Sequence, residues 1–514
     1  MLAAGNIWDL VVRRADETPD REMAVDEKGR RLTFGEYRDR CERAAAGFAD
    51  LGVGEGTVVS WIQPTTLEAM VLFGALRRLG AVQNPILPIY REREVGFIVR
   101  QAGSSLLITP SSLGGFDYRA MAEAVTEGTD ARVLVVDDTL PDGDPATLPP
   151  APDDDMNTPA GDVPVRYLIY TSGTTAEPKG AKHGDRTLRY ASVGMSERLG
   201  LAPDDRFAFV FPITHIAGGV YIYAALAYGL TFVLDGAFNP ATTIDLLRRE
   251  NITQGGAGTF FHQVYLKAQQ DLPEGEKLFP NIRTFPGGGA PKPPSLHHEL
   301  KAAFGVGVVS GYGMTEAPIL TMNHHDAPDE VLAETEGPAV AETSLRIVTV
   351  DGKAAGVGEE GEIRAKGPQV TLGYLDSSLD AAAFDEDGWF RTGDLGTLDA
   401  DGNLTITGRL KDVIIRKGEN ISAKEVEDLL FTHPKVGDVA VVGLPDAASG
   451  ERACAVVVPA DGAERLTFDE MKAHLLDAGL ITRKLPEQLE IVDALPRNPS
   501  GKIVKFELRD RFAS

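Results

Sequence analysis

The sequence predicts an α/β protein with much parallel sheet, a large N-terminal domain and a small C-terminal domain. Two observations predict this. Over roughly the first 110 residues, segments of helical period alternate with short apolar runs, the pattern of strand–helix–strand units with much parallel sheet. After about Val340 the texture changes to short strands broken by Gly and Asp turns, and from Arg409 to a basic, glycine-punctuated stretch followed by helix and strand. A chain of 514 residues can bury a sizeable core and suits roughly two to four domains.

Taken in order, Thr33-Phe34-Gly35-Glu36-Tyr37 opens an amphipathic helix that runs to Leu51. Residues 58–62 read as a buried strand, 69–79 as a helix, 106–109 and 165–170 as strands. Residues 141–161, rich in Pro and Asp, read as a surface linker. Residues 207–234 carry no side chain charged at pH 7, long enough to span a bilayer. Pro212, His215, Gly218, Gly219 and Gly229 interrupt the run, so a strand, a short helix and a second strand divided at Tyr228-Gly229 are expected instead, with no membrane span. Beyond Val340, strands are expected at 344–350, 361–365 and 403–407. Asp351-Gly352 and Asp401-Gly402 are hairpin signals. A helix at 422–431 and strands at 439–442 and 453–458 follow. The domain boundary is placed near 408–411, giving residues 1–408 (β-rich from about 340), a hinge at 409–411 and a C-terminal domain at 412–514.

Composition narrows the functional classes. Apolar residues make up 43% and charged residues 25%, as in an ordinary globular protein. The net charge of -25 disfavours nucleic-acid and anionic membrane surfaces. Cys41 and Cys454 match no metal or redox spacing, which fits a reducing cytoplasm. No signal-peptide pattern is visible at residues 1–20, and the last four residues form no prenylation or peroxisomal signal. The pairs His297-His298 and His324-His325 lack zinc-site spacing.

The most informative segment is Tyr170-Thr171-Ser172-Gly173-Thr174-Thr175-Ala176-Glu177-Pro178-Lys179-Gly180, which follows an apolar strand. Successive backbone N–H groups in a tight turn make an anion-binding concavity. Hydroxyls add donors and Lys179 adds a mobile positive charge, a composition that suits a polyphosphate. No Gly-Lys-Ser/Thr closes the loop, so it is not a Walker A motif. Residues 305–311 lack the spacing and the acidic partner of a dinucleotide fingerprint.

With this loop come six further ordered motifs: Phe211-Pro212-Ile213-Thr214-His215; Gly311-Tyr312-Gly313-Met314-Thr315-Glu316; Gly361-Glu362-Ile363; Trp389-Phe390-Arg391-Thr392-Gly393-Asp394; Gly408-Arg409 through Asp412 to Gly418-Glu419-Asn420-Ile421-Ser422 and Glu425-Val426-Glu427; and Pro496-Arg497-Asn498-Pro499-Ser500-Gly501-Lys502. Together they span nearly the whole chain, which resembles the adenylate-forming superfamily of acyl-CoA synthetases, peptide-synthetase adenylation domains and beetle luciferases. One departure is Ala176, where the family usually has Gly.

The resemblance implies a large N-terminal domain of stacked αβ subdomains plus a distorted β-barrel-like subdomain, and a small mobile α+β C-terminal domain. It implies ATP and Mg²⁺, a small-molecule carboxylic acid, and coenzyme A as co-substrate, with a carrier protein as the alternative thiol and a homodimer left open. A carboxylate attacks the α-phosphorus of ATP, and a thiol then displaces AMP. Thr171, Ser172, Gly173, Thr174, Thr175 and Lys179 are implied to hold the β- and γ-phosphates. Glu316 would bind Mg²⁺ through hard oxygen ligands, and Thr315 would sit by the α-phosphate. Tyr312 offers an aromatic face to adenine, with Gly288, Gly289, Ala290, Gly311 and Gly313 around it. Asp394 can accept both ribose hydroxyls, beside Ile406 and Arg409. Lys502 would reach the reacting carboxylate and α-phosphate. Lys411 matches the hinge, and rotation there would bring Lys417, Gly418 and Glu419 to a pantetheine tunnel. A crowd of cations from Lys411 to Lys505 is expected to meet ATP and coenzyme A phosphates.

His215 matches the acyl pocket. The small residues Gly218, Gly219, Gly258 and Gly287 around it suggest a roomy pocket, hence a bulky alicyclic, polycyclic, branched or medium-chain acid. The alternatives are an enzyme that loads a separate carrier protein and a non-catalytic binding protein. The intact Lys502, Glu316 and Asp394 argue against the latter.

Overall fold

A computed structural model describes every residue except 156, 157, 159, 172–176, 257, 290, 291, 417, 418, 447, 448, 498–502 and 514. Two compact units emerge. One comprises Met1–Ser344 with Ala365–Gly388, the other Leu345–Arg364 with Trp389–Ser514. The β-rich strands thus fall mostly with the C-terminal part, so this division lies ahead of the expected hinge at 409–411.

In the first unit, six strands line up among the described residues in the order Lys179–His183, Tyr167–Thr171, Val82–Pro85, Val58–Trp61, Leu106–Thr109, Arg132–Val135. All are parallel except Lys179–His183, which returns antiparallel beside Tyr167–Thr171. A second sheet runs Arg206–Phe209, Thr231–Leu234, Glu22–Val25 in parallel, closed by antiparallel Arg31–Thr33. Single bridges from Phe207 to Gln254 and from Gln254 to Thr284 carry it toward Phe285–Gly287, Val308–Met314 and Ala317–Met322.

Local chemistry explains the elements. The helix Phe34–Asp50 starts at Thr33, whose hydroxyl accepts from the Glu36 N–H while Glu36 accepts from the Thr33 N–H, so free N–H groups at the helix start are satisfied reciprocally. The helix Leu67–Arg78 is buried along its whole length, as a helix apolar on most faces must be. The uncharged run at 207–234 forms Arg206–Phe209, the helix Ile216–Tyr228 and Thr231–Leu234, with Gly229 ending the helix at φ +80°. Phe207 and Phe209 pack against Tyr221 from that helix, and Phe232 stands edge-on to both phenylalanines. No described helix is long and apolar enough to cross a membrane.

The described part of the Pro- and Asp-rich segment lies largely at the surface, as expected of a linker, but it is anchored at two points. A Cβ at Gly47 would stand 2.5 Å from the Asp142 nitrogen, so this helix glycine admits the segment against the helix Phe34–Asp50. Farther on, Asp154 enters the interior. Its carboxylate pairs with Arg77 at 2.8 Å and Arg166 at 2.7 Å, and Arg77 Nε donates to Asp185 Oδ2 at 2.7 Å. Asp185 also accepts from Tyr167 Oη and the Ile7 N–H. Burial alone would raise the Asp154 pKa; the Arg166 hydrogen bond and the Arg77 and Arg166 charges outweigh it and hold the carboxyl below its ordinary value. Its contribution to stability is therefore present above the ordinary carboxylate range and is lost as pH falls through the lowered value. The Arg77 side chain is fully buried, so Arg77→Leu takes the guanidinium from the buried Asp185 carboxylate, while Asp154 keeps Arg166. The expected loss is about 3–5 kcal/mol, read as a lower urea midpoint; an unchanged midpoint would show the network to be dispensable.

The second unit carries two sheets. One runs Ser344–Val348, Gly361–Lys366, Phe390–Leu398, Leu404–Arg409. The other has Glu419–Ser422, Val413–Arg416, Gly450–Pro459 and Val436–Asp446 in order, with Gln488–Ile491 parallel to Gly450–Pro459. The helix Ala423–Phe431 starts at Ser422, which caps the Glu425 N–H and donates to the Thr407 carbonyl. The hairpin signals form turns, with Gly352 and Gly402 each at φ +81°.

Candidate active site

The glycine- and hydroxyl-rich loop leaves Tyr167–Thr171 and returns as Lys179–His183, with Thr171 paired to Lys179. The strand pair therefore holds these two residues side by side. Ser172, Gly173, Thr174, Thr175 and Ala176 lie outside the described residues. Lys179 Nζ sits 5.6 Å from the centroid of the Tyr374 ring, within reach of a cation–π attraction. Nearby His183 is fully buried, and burial pushes its pKa down to about 4, so it adds no charge here at neutral pH.

Thr315 and Glu316 form the tip between Val308–Met314 and Ala317–Met322, where Met314 pairs with Ala317. The ladder is irregular between Tyr312 and Met314, and Ile319 adopts φ +51°. A left-handed conformation costs a β-branched residue about 1–2 kcal/mol. Gly313 makes it sterically feasible, because a Cβ there would lie 2.4 Å from the Ile319 nitrogen. Strain is thus stored directly beneath the tip that presents the two polar side chains.

Glu316 is half-buried, and its Oε1 accepts from Tyr374 Oη at 2.8 Å. Burial, then the Glu316 charge, raises the Tyr374 phenol well above its ordinary value, so it stays protonated and donates. A carboxylate with one oxygen oriented in this way keeps a second hard oxygen for a cation, and the donor set fits Mg²⁺.

The strand Phe285–Gly287 runs parallel to Val308–Met314, with Gly287 beside Ser310. That register brings Gly288 next to Gly311, whose carbonyl oxygen would lie 3.1 Å from a Cβ on Gly288. Gly311 has no room for a side chain, since Thr321 O would be 2.5 Å away. Gly289 has φ +74° and open space; Ala290 lies outside the described residues. Tyr312 follows on the same strand, 6% exposed.

His215 caps the helix Ile216–Tyr228, its Nδ1 accepting from the Ala217 N–H at 3.2 Å. The glycines around it differ in what surrounds them. A Cβ on Gly218 would lie 2.0 Å from the Ile213 carbonyl oxygen, one on Gly219 2.9 Å from Leu188, and one on Gly287 2.7 Å from Val308. At these three positions the missing side chain admits neighbouring protein atoms. Gly258 differs. Its φ is +117°, and a Cβ would meet only Phe261 and the Gly288 carbonyl at 3.8 and 3.9 Å. Sequence reasoning missed the aromatic group beside it: Phe238, Phe260 and Phe261 pack edge to face, with Phe260 56% exposed.

In the second unit, Asp394 and Arg409 face each other across antiparallel strands, and Arg409 Nε lies 2.9 Å from Asp394 Oδ1. Ile406 stands opposite Gly396 on the same ladder. Asp394 is buried, and its N–H donates to Thr392 Oγ1. Lys411 lies on the short turn Leu410–Asp412, and Asp412 pairs with Arg509. Lys417, Gly418 and Lys502 lie outside the described residues, as does the Glu419 side chain; the Glu419 main chain pairs with Arg416. Several members of the expected phosphate-facing cation crowd pair with carboxylates. Arg416 pairs with Glu487, Lys484 with Glu425, Arg497 with Asp438 and Lys505 with Glu427. Those charges are already compensated by neighbouring carboxylates.

Residues 11–375 match the AMP-binding enzyme family, and residues 425–502 its C-terminal domain. The chain belongs to the AMP-binding enzyme family. It is 34% identical over 506 residues to a feruloyl-CoA synthase of an Amycolatopsis species, covering 98% of both chains. It is 32% identical to the salicyl-AMP ligase/salicyl-S-ArCP synthetase of Mycobacterium tuberculosis, covering 98% of this chain and 90% of that protein. Among solved structures, ATP-bound MatB from Rhodopseudomonas palustris superposes with a TM-score of 0.86 at 29% identity over 99% of both chains. The o-succinylbenzoate CoA synthetase of Bacillus subtilis, in complex with its acyl-adenylate intermediate, gives 0.82 at 27% identity over 99% of both. The fold is that of the adenylate-forming enzymes, and ATP is the nucleotide that such a site takes.

Proposed function

We propose that this chain joins a carboxylic acid to AMP at the expense of ATP and passes the acyl group to coenzyme A. The observation that carries the reading is the group formed by Lys179, Glu316 and Tyr374 beside the loop after Thr171. It brings together a cation and a hard oxygen donor, the two groups that a triphosphate with its metal needs. A carboxylate oxygen bonds to the α-phosphorus, the bond to the bridging oxygen breaks, and pyrophosphate leaves. The coenzyme A sulfur then bonds to the acyl carbon, and the C–O bond to AMP breaks.

Lys179 and the loop from Thr171 to Thr175 neutralise the departing pyrophosphate, and Thr315 lies by the α-phosphate. Glu316 would hold Mg²⁺, which when bound neutralises charge on the phosphate oxygens. Gly288, Gly289, Ala290, Gly311 and Gly313 let the main chain approach adenine beside Tyr312. Asp394 accepts the ribose hydroxyls with Arg409 and Ile406 beside it, and Lys502 brings positive charge to the pentavalent phosphorus. Rotation about Lys411 exchanges Lys502 for Lys417, Gly418 and Glu419 at the thiol's path.

For the acid, we propose a bulky, mostly apolar molecule, ring-bearing or of medium chain length. The group of Phe238, Phe260 and Phe261 beside Gly258, where an added Cβ would meet no atom closer than 3.8 Å, supports this; His215 is proposed as the pocket's polar end. Relatives act on feruloyl and salicyl groups and on medium-chain fatty acids. A panel of carboxylic acids, scored by pyrophosphate release with and without coenzyme A, tests this. Release should depend on an apolar ring or chain and thioester should accumulate with coenzyme A. A strong preference for acetate or an α-amino acid would overturn the acid. Adenylate that persists with coenzyme A but is consumed by a holo-carrier protein would favour carrier loading.

A further inference from the structure

We infer that Tyr374 is a positioning residue that aims the Glu316 carboxylate at a divalent cation and parks the Lys179 ammonium against its ring; the inference rests on the adenylation reading above. Tyr374 is 5% exposed. Its hydroxyl fixes one oxygen of Glu316 at 2.8 Å, and its ring lies 5.6 Å from Lys179 Nζ. One side chain therefore touches both the acid and the base that face the nucleotide phosphates. Nothing in its local sequence marks it, since a lone aromatic after Gly373 reads as core.

The main chain around Tyr374 is built to hold it there. The Thr371 N–H donates to the Glu316 carbonyl at 2.7 Å, and Thr371 Oγ1 donates to the Lys182 carbonyl at 2.9 Å. The Lys182 N–H donates to Gly373 O, the Leu372 N–H to Lys182 O, and the Leu375 N–H to Gly180 O. Asp380 Oδ1 accepts from the Tyr374 N–H at 2.8 Å. Residues 371–375 thus strap the Glu316 tip to the strand Lys179–His183. A carboxylate that must meet a cation gains from an outer hydrogen bond that fixes its rotamer, and removing such a partner typically costs about 10–100-fold in metal affinity. An ammonium over the ring face is attracted there by the ring's quadrupole.

The two contacts are separable. Tyr374→Phe removes the hydroxyl and keeps the ring; Tyr374→Leu removes both. The probe is Mn²⁺, titrated by electron paramagnetic resonance against the full chain with α,β-methylene-ATP. Tyr374→Phe is expected to weaken Mn²⁺ by about tenfold while leaving metal-free nucleotide affinity unchanged. Tyr374→Leu should additionally weaken metal-free nucleotide binding. In a Glu316→Gln background, Tyr374→Phe should produce no further loss of Mn²⁺, because it acts through that carboxylate. Mn²⁺ affinity unchanged in Tyr374→Phe, or lowered equally with and without Glu316, overturns the inference. If the wild-type chain itself forms no nucleotide-dependent Mn²⁺ site and shows no acid-dependent exchange of pyrophosphate into ATP, the adenylation reading fails instead.

Discussion

Replacing Lys502 with alanine is expected to lower acid-dependent exchange of pyrophosphate into ATP by about 10²–10³-fold, with ATP binding largely intact. The reaction brings a carboxylate to a triphosphate, two anions that repel until charge is neutralised at the phosphorus. A compact ammonium on a flexible stem suits a group that enters for this step and leaves before the thiol arrives. Other cations of the second unit are poor substitutes. Arg409 lies against Asp394, Arg497 against Asp438 and Lys505 against Glu427, so each is already held by a carboxylate. Exchange rates and calorimetric titration with ATP separate the two effects. Turnover unchanged in Lys502→Ala would defeat the proposed chemistry, and equal loss of binding and exchange would make Lys502 a binding residue only.

Much of the fold was legible because it depends on local pattern. The strand–helix–strand alternation, the Tyr228-Gly229 break and the Gly402 turn follow from hydrophobic period and from the conformational freedom of glycine. The anchor at Asp154 was hidden because its partners, Arg77 and Arg166, are remote in sequence. A run of Asp and Pro looks solvated until the chain folds two guanidinium groups around it. The site divides in the same way. Glu316 was visible from its motif, but Tyr374 was not, since 58 residues separate it from Glu316 and only the strap at 371–375 brings them together. The ion pairs of the C-terminal part were hidden for a related reason, since charge composition does not reveal which carboxylates fold against the cations.

The glycines near His215 give the second large effect, and they separate packing from substrate selection. Gly218→Ala is expected to cost about 3 kcal/mol or more, at or beyond the upper end for overpacking, because its Cβ would stand 2.0 Å from a backbone carbonyl that cannot rotate aside. The loss should appear as a lower denaturation midpoint. A pocket glycine would behave differently, narrowing the range of acids while the fold stayed stable. Gly288→Ala is the control. Its Cβ would face Gly311 O at 3.1 Å, a contact that a shift of a few tenths of an ångström relieves. Its effect should therefore fall on KM for ATP or the acid, with little change in midpoint. If Gly218→Ala instead kept its midpoint and changed which acids release pyrophosphate, that glycine would belong to the pocket after all. The steric reading predicts otherwise because a side chain cannot lend space to a ligand where the main chain already fills it.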